Sequence, residues 1–327
     1  MFRCPQGCAA EVADGAAGKP FWMLGIEEIG YYIPGGRVSN YDRKEKFGID
    51  DYFIEQKIGV RQISVKDADE DTSDLCVKAF ADLCRKTAID KDEIEAVVVV
   101  TQNPDNNIPH VSAMLHGKLQ LPHRCACFDI SLGCSGFVYA LSTFQSFMAA
   151  NGMKKGLLFT ADPYTKIVDP EDKNTTLLFG DAAAVTLVSE QPRFVSGKFT
   201  FGTMGNEYEK LICRNGVLYM NGRAVFNFAA KIVPEDIRQM LEKNGLTLDD
   251  VDRFLLHQGS KIIVNTIADK LQIPQEKAPY SSYDFGNTVS STLPILLVDE
   301  FDSPAKNIVI CGFGVGLSWA SGVLKRV

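Results

Sequence analysis

Cys134 is the residue of this chain whose surroundings best suit a nucleophile. It lies in Ser131-Leu-Gly-Cys134-Ser-Gly136, after the apolar run 126–130 and before an apolar stretch of helical length. We therefore place Cys134 between a buried strand and a helix, where free N–H groups and the helix dipole are expected to lower the pKa of a thiol. The alternative is a small residue packed against a glycine-rich turn. No other cysteine lies at such a junction, so we favour the nucleophile.

His257 and Asn287 are candidate partners of this thiol. His257 ends the apolar run Leu255-Leu-His257, and the ends of strands are where α/β sheets bind ligands. The alternative is a core histidine, but this chain has only four histidines, and His257 is followed by a probable helix N-cap, Ser260. Asn287 lies in Tyr283-Asp-Phe-Gly-Asn287, which we also place at a junction before a helix.

An internal repeat relates Cys134 to Asn287. Residues 86–102 and 243–258 share a helix end, an acidic turn and an apolar strand ending in Gln, and residues 118–122 match residues 270–274. The copies lie 152 to 157 positions apart, and Cys134 and Asn287 lie 153 positions apart. Two copies of one unit, related by a pseudo-dyad, would bring two helix N-termini to one centre, one with a thiol and one with an amide.

The repeat also predicts the fold. Each copy reads strand, helix, strand, helix, strand, strand, and helix 135–150 is apolar on most sides, as a helix buried between layers would be. We predict an α/β fold with five layers, α/β/α/β/α, built from two duplicated halves at 22–190 and 191–327 after an N-terminal extension at 1–21. The first copy carries about 18 additional residues between Asp162 and Phe179, which reads as a long functional loop.

Composition excludes several classes of function. With 34 Lys and Arg against 41 Asp and Glu, the net charge of −7 argues against a nucleic-acid binder. No run approaches the ~20 apolar residues of a membrane-spanning helix, so no membrane partner is expected. The odd number of cysteines, nine, indicates free thiols and a cytoplasmic location. Cys4 and Cys8 have no second ligand pair nearby, so no metal site is expected.

A glycine-rich turn near the C-terminus completes the candidate site. The run Cys311-Gly-Phe-Gly-Val-Gly-Leu-Ser-Trp319 lies between two apolar strands. A tight turn is its simple interpretation. Beside a nucleophile, it could also place a backbone N–H group as a donor to an oxyanion.

Four motifs, in this order, resemble the β-ketoacyl-[acyl carrier protein] synthase III family of the thiolase superfamily. They are Asp129-x-x-x-x-Cys134-Ser-Gly-Phe, His257-Gln-Gly-Ser, Gly286-Asn-Thr, and Gly312-Phe-Gly-Val-Gly-Leu-Ser-Trp319. The resemblance covers about residues 22–327. It implies a thiolase-like fold and a homodimeric acyltransferase of fatty acid or related lipid metabolism. Its expected partners are acyl-coenzyme A and acyl carrier protein, and no cofactor is expected.

The resemblance also implies roles for the candidate residues. Cys134 takes an acyl group from a thioester; malonyl-[acyl carrier protein] then loses carbon dioxide and attacks the acyl-enzyme. His257 and Asn287 hydrogen-bond the thioester oxygen and stabilise the enolate, and the backbone N–H groups of Cys134 and Val315 form the oxyanion hole. Decarboxylation needs hydrogen-bond donors rather than a strong base, which fits a Cys-His-Asn set.

The sequence departs from the family pattern at the carrier site. The Trp and Arg that sandwich the coenzyme A adenine in the family look like Phe53 and Lys173 here, so acyl carrier protein is an alternative acyl donor. Val315 replaces the middle glycine of the C-terminal turn. Together with a short stretch at 199–220, these departures favour a specialised paralogue. Ile108 looks like the residue with which one subunit closes the acyl tunnel of the other.

Docking of an acidic carrier protein to an acidic enzyme requires a local basic patch. We expect it at Arg223, Lys231 and Lys261, because Lys261 follows the His257 loop and the other two lie on one predicted helix. A solvated helix face is the alternative interpretation.

Three other functions stay open from the residues. One is acyl transfer to an amine or hydroxyl acceptor without condensation, which an intact Asn287 makes less favoured. The second is a papain-like cysteine hydrolase, which shares the order Cys, His, Asn but leaves the internal repeat unexplained. The third is a non-catalytic subunit of a heterodimer, which the complete set of three residues argues against.

Overall fold

The computed structural model describes residues 24–327. The predicted extension at 1–21 and the pair Cys4 and Cys8 lie outside the described residues. The strands are β1 Gly25–Tyr32, β2 Gly36–Ser39, β3 Gln62–Val65, β4 Ala96–Val100, β5 Ala126–Ile130, β6 Lys155–Ala161, β7 Ala183–Ser189, β8 Phe194–Thr203, β9 Leu211–Arg214, β10 Val217–Met220, β11 Arg253–Leu256, β12 Asn307–Gly314 and β13 Ser318–Arg326. The α-helices are α1 Lys44–Phe47, α2 Thr72–Lys86, α3 Val111–Leu119, α4 Gly136–Ala150, α5 Lys173–Thr176, α6 Gly222–Lys243, α7 Lys261–Leu271 and α8 Thr292–Val298.

The sheet shows the duplication directly. Its order is β11-β12-β13-β8-β1-β7-β6-β4-β5. In the first half, β4 is parallel to β6, and β7 is antiparallel to both β6 and β1. In the second half, β11, β12, β13 and β8 repeat the same directions. The two halves are joined where β1 pairs with β8 over two residues, Gly25 with Val195 and Ile26 with Phe194.

Five layers follow from the helix contacts. The central helices α4 and α8 each contact strands of both halves of the sheet. The outer helices α2 and α3 pack on the first half, and α6 packs on the second with α7 beside it. Helix α4 buries residues around most of its circumference because both of its sides face a sheet. The predicted α/β/α/β/α arrangement is therefore confirmed.

The two copies differ in ways that the sequence did not indicate. The second copy lacks the strand expected between α7 and α8, and has short 3-10 turns at Gln275–Lys277 and Ser282–Asp284 instead. The expected buried strand 126–130 is β5, which lies at the edge of the sheet and is half-buried. The proposed division after residue 190 falls between β7 and β8 and stays a prediction.

The loop inserted in the first copy is partly structured. It contains a 3-10 turn at Tyr164–Lys166 and the short helix α5. Asp172 caps α5, because its carboxylate accepts hydrogen bonds from the Asn174 N–H at 3.0 Å and the Thr175 hydroxyl at 2.8 Å. The turn places Tyr164 inside the molecule, with only 3% of the residue exposed.

Within residues 24–327, no helix is long and apolar enough to span a bilayer.

Candidate active site

Cys134, His257 and Asn287 line one cavity of about 220 Å³. Cys134 lies between β5 and α4, His257 follows β11, and Asn287 lies ahead of α8. The three residues are 4%, 2% and 4% exposed, respectively. The structure therefore brings together the three residues that the sequence selected, from the places where strands end and the two central helices begin.

Glycines of β12 allow the backbone to approach the thiol. A Cβ atom at Gly314 would lie 2.7 Å from Cys134 Sγ, and one at Gly312 would lie 2.6 Å from the Cys134 carbonyl oxygen. Any side chain at either position would therefore displace the nucleophile. The following turn is tied to the same segment, because the Ser135 and Ser318 hydroxyls lie 2.8 Å apart and Ser318 donates to the Val315 carbonyl at 2.8 Å.

The sequence-based expectation of a lowered thiol pKa is wrong. Burial raises the pKa of Cys134 to about 12, and the negative charge of Asp162 acts in the same direction. The backbone N–H groups of Val315 and Cys134 face the sulfur and oppose this effect, but burial outweighs them. The thiol is therefore neutral at physiological pH.

Asn287 is held so that its amide N–H₂ group is free. Its Oδ1 accepts a hydrogen bond from the Val289 N–H at 2.9 Å, and its backbone bridges to the loop around Phe179. Among the described residues, Nδ2 donates to no acceptor. Since Asn287 lines the cavity, its side chain can present Nδ2 there as a hydrogen-bond donor.

His257 is neutral and is positioned by Thr292. Burial lowers the pKa of His257 to about 3. Its Nδ1 lies 2.9 Å from Thr292 Oγ1, and this hydroxyl donates to the Val289 carbonyl at 3.0 Å. In that arrangement Nδ1 carries the proton and Nε2 is an acceptor. If the hydroxyl turns toward Nδ1, Nε2 carries the proton and becomes a donor, so Thr292 can support either tautomer.

Val289 connects the supports of both residues at the cost of backbone strain. Its φ of 55° lies in the left-handed region, which is rare for a β-branched residue. In this conformation, its N–H group holds Asn287 and its carbonyl holds Thr292. Strained backbone of this kind concentrates at functional sites, where the surrounding structure maintains it.

The motif residue Asp129 has a structural place. Its carboxylate accepts hydrogen bonds from the Val111 and Ser112 N–H groups at 2.7 and 2.9 Å, which caps α3.

The buried carboxylate nearer the thiol is Asp162, which the sequence did not single out. It accepts from the Gln102 N–H and the Ser290 hydroxyl, both at 2.7 Å, and so links β6 to the segment before α8. Burial raises the pKa of Asp162 to about 7.

Comparison with known proteins agrees with this geometry. Two family models match the chain: 3-oxoacyl-[acyl-carrier-protein] synthase III at residues 128–205, and the C-terminal part of the same synthase at residues 241–326. The chain is 32% identical to the β-ketoacyl-[acyl-carrier-protein] synthase III of Streptococcus suis strain 05ZYH33, over 92% of this chain and 98% of the relative. The chain belongs to the 3-oxoacyl-[acyl-carrier-protein] synthase III family.

Other relatives and solved structures agree. A synthase III of Bacillus cereus is 33% identical over 92% of this chain and 98% of its own. The crystal structure of the Thermus thermophilus synthase III superposes with a TM-score of 0.86 at 29% identity, over 93% of this chain and 99% of that one. The thiolase-like fold and the acyltransferase class that the sequence predicted are confirmed, and the papain-like alternative is wrong.

The predicted adenine-binding pair, Phe53 and Lys173, is in mutual contact beside the active-site cavity. Phe53 lines the cavity, and Lys173 Nζ lies 5.3 Å from the centre of its ring. Lys173 also donates to the Phe47 carbonyl at 2.8 Å. Lys261 is half-buried at the start of α7, where its Nζ lies 3.1 Å from the Glu55 carbonyl oxygen. These two lysines are already engaged by neighbouring groups.

The other two predicted carrier-binding residues, Arg223 and Lys231, are exposed. Arg223 and Lys231 lie on α6, as predicted. Lys231 lines a groove between α6 and α7 together with Arg238 and Lys270, two basic residues that the sequence did not indicate. Phe226 lines both this groove and the active-site cavity, so the two are adjacent.

Ile108 lies apart from the cavity of its own subunit. It is 87% exposed, on the loop that precedes α3. Its predicted role therefore depends on a second chain.

Within residues 24–327, no cluster of three or more His, Cys, Asp or Glu side chains could hold a metal ion.

Proposed function

We propose that this protein condenses an acyl thioester with malonyl-[acyl carrier protein] to give a 3-oxoacyl-[acyl carrier protein], with loss of carbon dioxide. The observation that supports this proposal is the pairing of two sets of donors in one cavity. The N–H groups of Cys134 and Val315 face the thiol, and the side chains of His257 and Asn287 line the same space. One set serves acyl transfer, and the other serves an enolate.

In the first half-reaction, Cys134 attacks the acyl carbonyl. Because the thiol and imidazole are both neutral, the thiol proton moves to His257 Nε2 as the carbon–sulfur bond forms. The oxyanion accepts hydrogen bonds from the Cys134 and Val315 N–H groups. When the intermediate collapses, the carrier thiolate leaves and takes the proton from Nε2.

In the second half-reaction, malonyl-[acyl carrier protein] loses its free carboxylate as carbon dioxide. The electron pair of the broken carbon–carbon bond moves into the thioester and forms an enolate, whose oxygen accepts hydrogen bonds from Asn287 Nδ2 and from His257 Nε2 in its protonated tautomer. The enolate carbon then attacks the Cys134 thioester. The Cys134 thiolate leaves and takes up one proton from solvent, which balances the negative charge of the carboxylate that was lost as carbon dioxide.

The experiment that tests the proposal supplies an acyl thioester and malonyl-[acyl carrier protein] labelled at its free carboxyl. Labelled carbon dioxide and 3-oxoacyl-[acyl carrier protein] should appear in equal amounts. Transfer of the acyl group to an amine or hydroxyl acceptor, with no carbon dioxide released, would replace condensation with the simpler transfer reaction.

We also propose that acyl carrier protein docks on the exposed basic face of α6. Arg223 follows Gly222, which lines the active-site cavity, and Lys231 lines the adjoining groove together with Arg238 and Lys270. The groove also contains Glu235, but its three basic residues leave a net positive charge for an acidic partner, although the protein as a whole carries −7. Lys261 is a weaker candidate, because neighbouring oxygens already accept from its ammonium group.

Reversing these charges should weaken carrier binding. In Arg223→Glu/Lys231→Glu, the KM for malonyl-[acyl carrier protein] should rise about tenfold or more and should depend less on salt, because long-range attraction is lost. Adding Lys261→Glu should have a smaller further effect. The control is Lys154→Glu, at an exposed position just before β6 and so at the opposite ends of the parallel strands. An unchanged KM in the double variant would contradict the docking site.

We further propose a homodimer. The apolar run Val97–Val100 is no open edge that a partner would have to cover, because it lies in β4 between β6 and β5. The edge strand is β5, whose half-buried Phe128 and Ile130 would gain cover from a second chain. A monomer in sedimentation at micromolar concentration would contradict the proposal.

The cysteines of residues 24–327 are free, which supports a reducing, cytoplasmic location that cell fractionation can check.

A further inference from the structure

A second cavity, of about 360 Å³, adjoins the active-site cavity. Its walls include Gln102, Tyr164, Leu211 and Val315. Leu211 also lines the cavity that holds Cys134, so it separates the two spaces. Val315 contributes its side chain to the second cavity, while its N–H group faces the Cys134 sulfur.

An acyl group bound to Cys134 has to extend toward this second cavity. The inference rests on the proposed function, in which the carrier arm occupies the first cavity and the acyl oxygen faces the N–H groups of Cys134 and Val315. The backbone beside the thiol is already close to the second space. A Cβ atom at Gly133 would lie 2.6 Å from Gln102 Oε1 and 2.8 Å from Val315 Cγ1. The first carbons of an acyl chain would therefore pass the Gln102 side chain.

Gln102 and Tyr164 form a polar pair in this wall. The Tyr164 hydroxyl donates to Gln102 Oε1 at 3.1 Å, and the Tyr164 ring packs on Phe179 at 4.9 Å between centres. The Gln102 backbone is fixed by its hydrogen bond to Asp162. Among the described residues, Gln102 Nε2 donates to no acceptor, and the Tyr164 oxygen still has lone pairs to offer. The pair can thus present one donor and one acceptor to a ligand.

The rest of the cavity restricts the charge of that ligand. Its lining residues include no Lys, Arg or His, so an anionic acyl group would find no counter-charge. The buried carboxyl group of Asp162, which accepts the Gln102 N–H, offers no positive charge to an anion either. Leu218 and Ile167 supply apolar surface beyond the polar pair. An alkyl chain alone would leave the Gln102 amide desolvated without a partner, which disfavours binding.

We propose that this cavity selects an acyl group that carries an uncharged oxygen, as a hydroxyl or keto group, on one of its first carbons. Gln102 Nε2 donates a hydrogen bond to that oxygen, and the Tyr164 oxygen accepts one from a hydroxyl. The selectivity arises because the polar pair lies beside the nucleophile, so the position of the oxygen along the chain matters more than total chain length.

The test compares acylation of Cys134 by five thioesters on one carrier. They are 3-hydroxybutyryl and butyryl, the matched six-carbon pair 3-hydroxyhexanoyl and hexanoyl, and succinyl. Single-turnover acyl-enzyme mass gives kcat/KM for each donor. We expect the 3-hydroxyacyl donors to exceed their plain counterparts about tenfold or more, and succinyl to be the poorest. In Gln102→Leu/Tyr164→Phe, which removes both polar groups and preserves shape, the preference should reverse.

The control is Tyr219→Phe, which removes the hydroxyl of an exposed tyrosine on β10 outside this cavity and should leave the donor ratio at its wild-type value. Equal or better acylation by the plain acyl donors in the wild type would overturn the inference and leave the proposed function standing. So would a double variant whose donor ratio matches the wild type. If no donor acylates Cys134 at all, the proposed function itself fails.

Discussion

Replacing Cys134 with alanine should abolish the acyl-enzyme and lower condensation by at least about 10⁴-fold, since no other cysteine of residues 24–327 lines the cavity. Slow decarboxylation of malonyl-[acyl carrier protein] should persist. The donors proposed for that step, His257 Nε2 and Asn287 Nδ2, come from other segments and are held by Thr292 and Val289. Intact-protein mass and release of labelled carbon dioxide measure the two outcomes separately.

Cys84→Ala is the matched control for this prediction. Cys84 is an exposed thiol on α2, away from the cavity, so its loss should leave acyl-enzyme formation at the wild-type level. An acyl adduct that persists in Cys134→Ala, on Cys84 or on any other residue, would contradict the assignment of the nucleophile. Loss of both the adduct and decarboxylation, in a variant that is still folded, would contradict the separation of the two steps.

The positions of the three central residues could be predicted from sequence because they depend on local junctions. Apolar strand endings followed by small residues marked Cys134 and His257, and the repeat offset marked Asn287. A pseudo-dyad places equivalent junctions at one centre whatever the details of packing. The five layers followed from the same repeat, since a helix that is apolar on most sides requires a sheet on each side.

The electrostatics of the site could not be predicted in this way. A helix N-terminus is visible in a sequence, but the burial that raises the pKa of Cys134 comes from segments far apart in the chain, and so does the charge of Asp162. Thr292 gives no sequence signal of its own, because its role is defined by a hydrogen bond to a residue 35 positions away. The pair of Gln102 and Tyr164 similarly joins β4 to the inserted loop.

At the carrier site, the sequence could not show which basic side chains are free to bind a partner. Phe53, Lys173 and Lys261 were selected by position, and the structure places them near the mouth, yet both lysines already contact neighbouring groups. A basic side chain contributes to docking only when its charge is free to meet a partner. That property depends on neighbours such as Glu55 and Phe47, which the residue type does not reveal.

Replacing Asn287 with aspartate should separate the two half-reactions in the opposite sense. The substitution keeps an oxygen to accept the Val289 N–H, so the turn before α8 should form as in the wild type. It replaces the Nδ2 donor with a second oxygen, which is charged when the group ionises and lies beside the developing enolate. Losing one such donor costs ~10²–10³ in rate, and a like charge should cost more. Acylation of Cys134 should continue, because its oxyanion is held by backbone N–H groups.

The pH dependence of this variant gives the sharpest check. Burial disfavours the charged form of the introduced carboxyl group, so its pKa should be raised, and below that pKa the group carries an O–H donor. Decarboxylation by Asn287→Asp should therefore recover partly as the pH falls, whereas Asn265→Asp, on α7 outside the cavity, should follow the wild-type profile. Condensation near the wild-type rate at neutral pH would show that Asn287 does not stabilise an enolate, and acyl transfer through Cys134 and His257 alone would then be the better account.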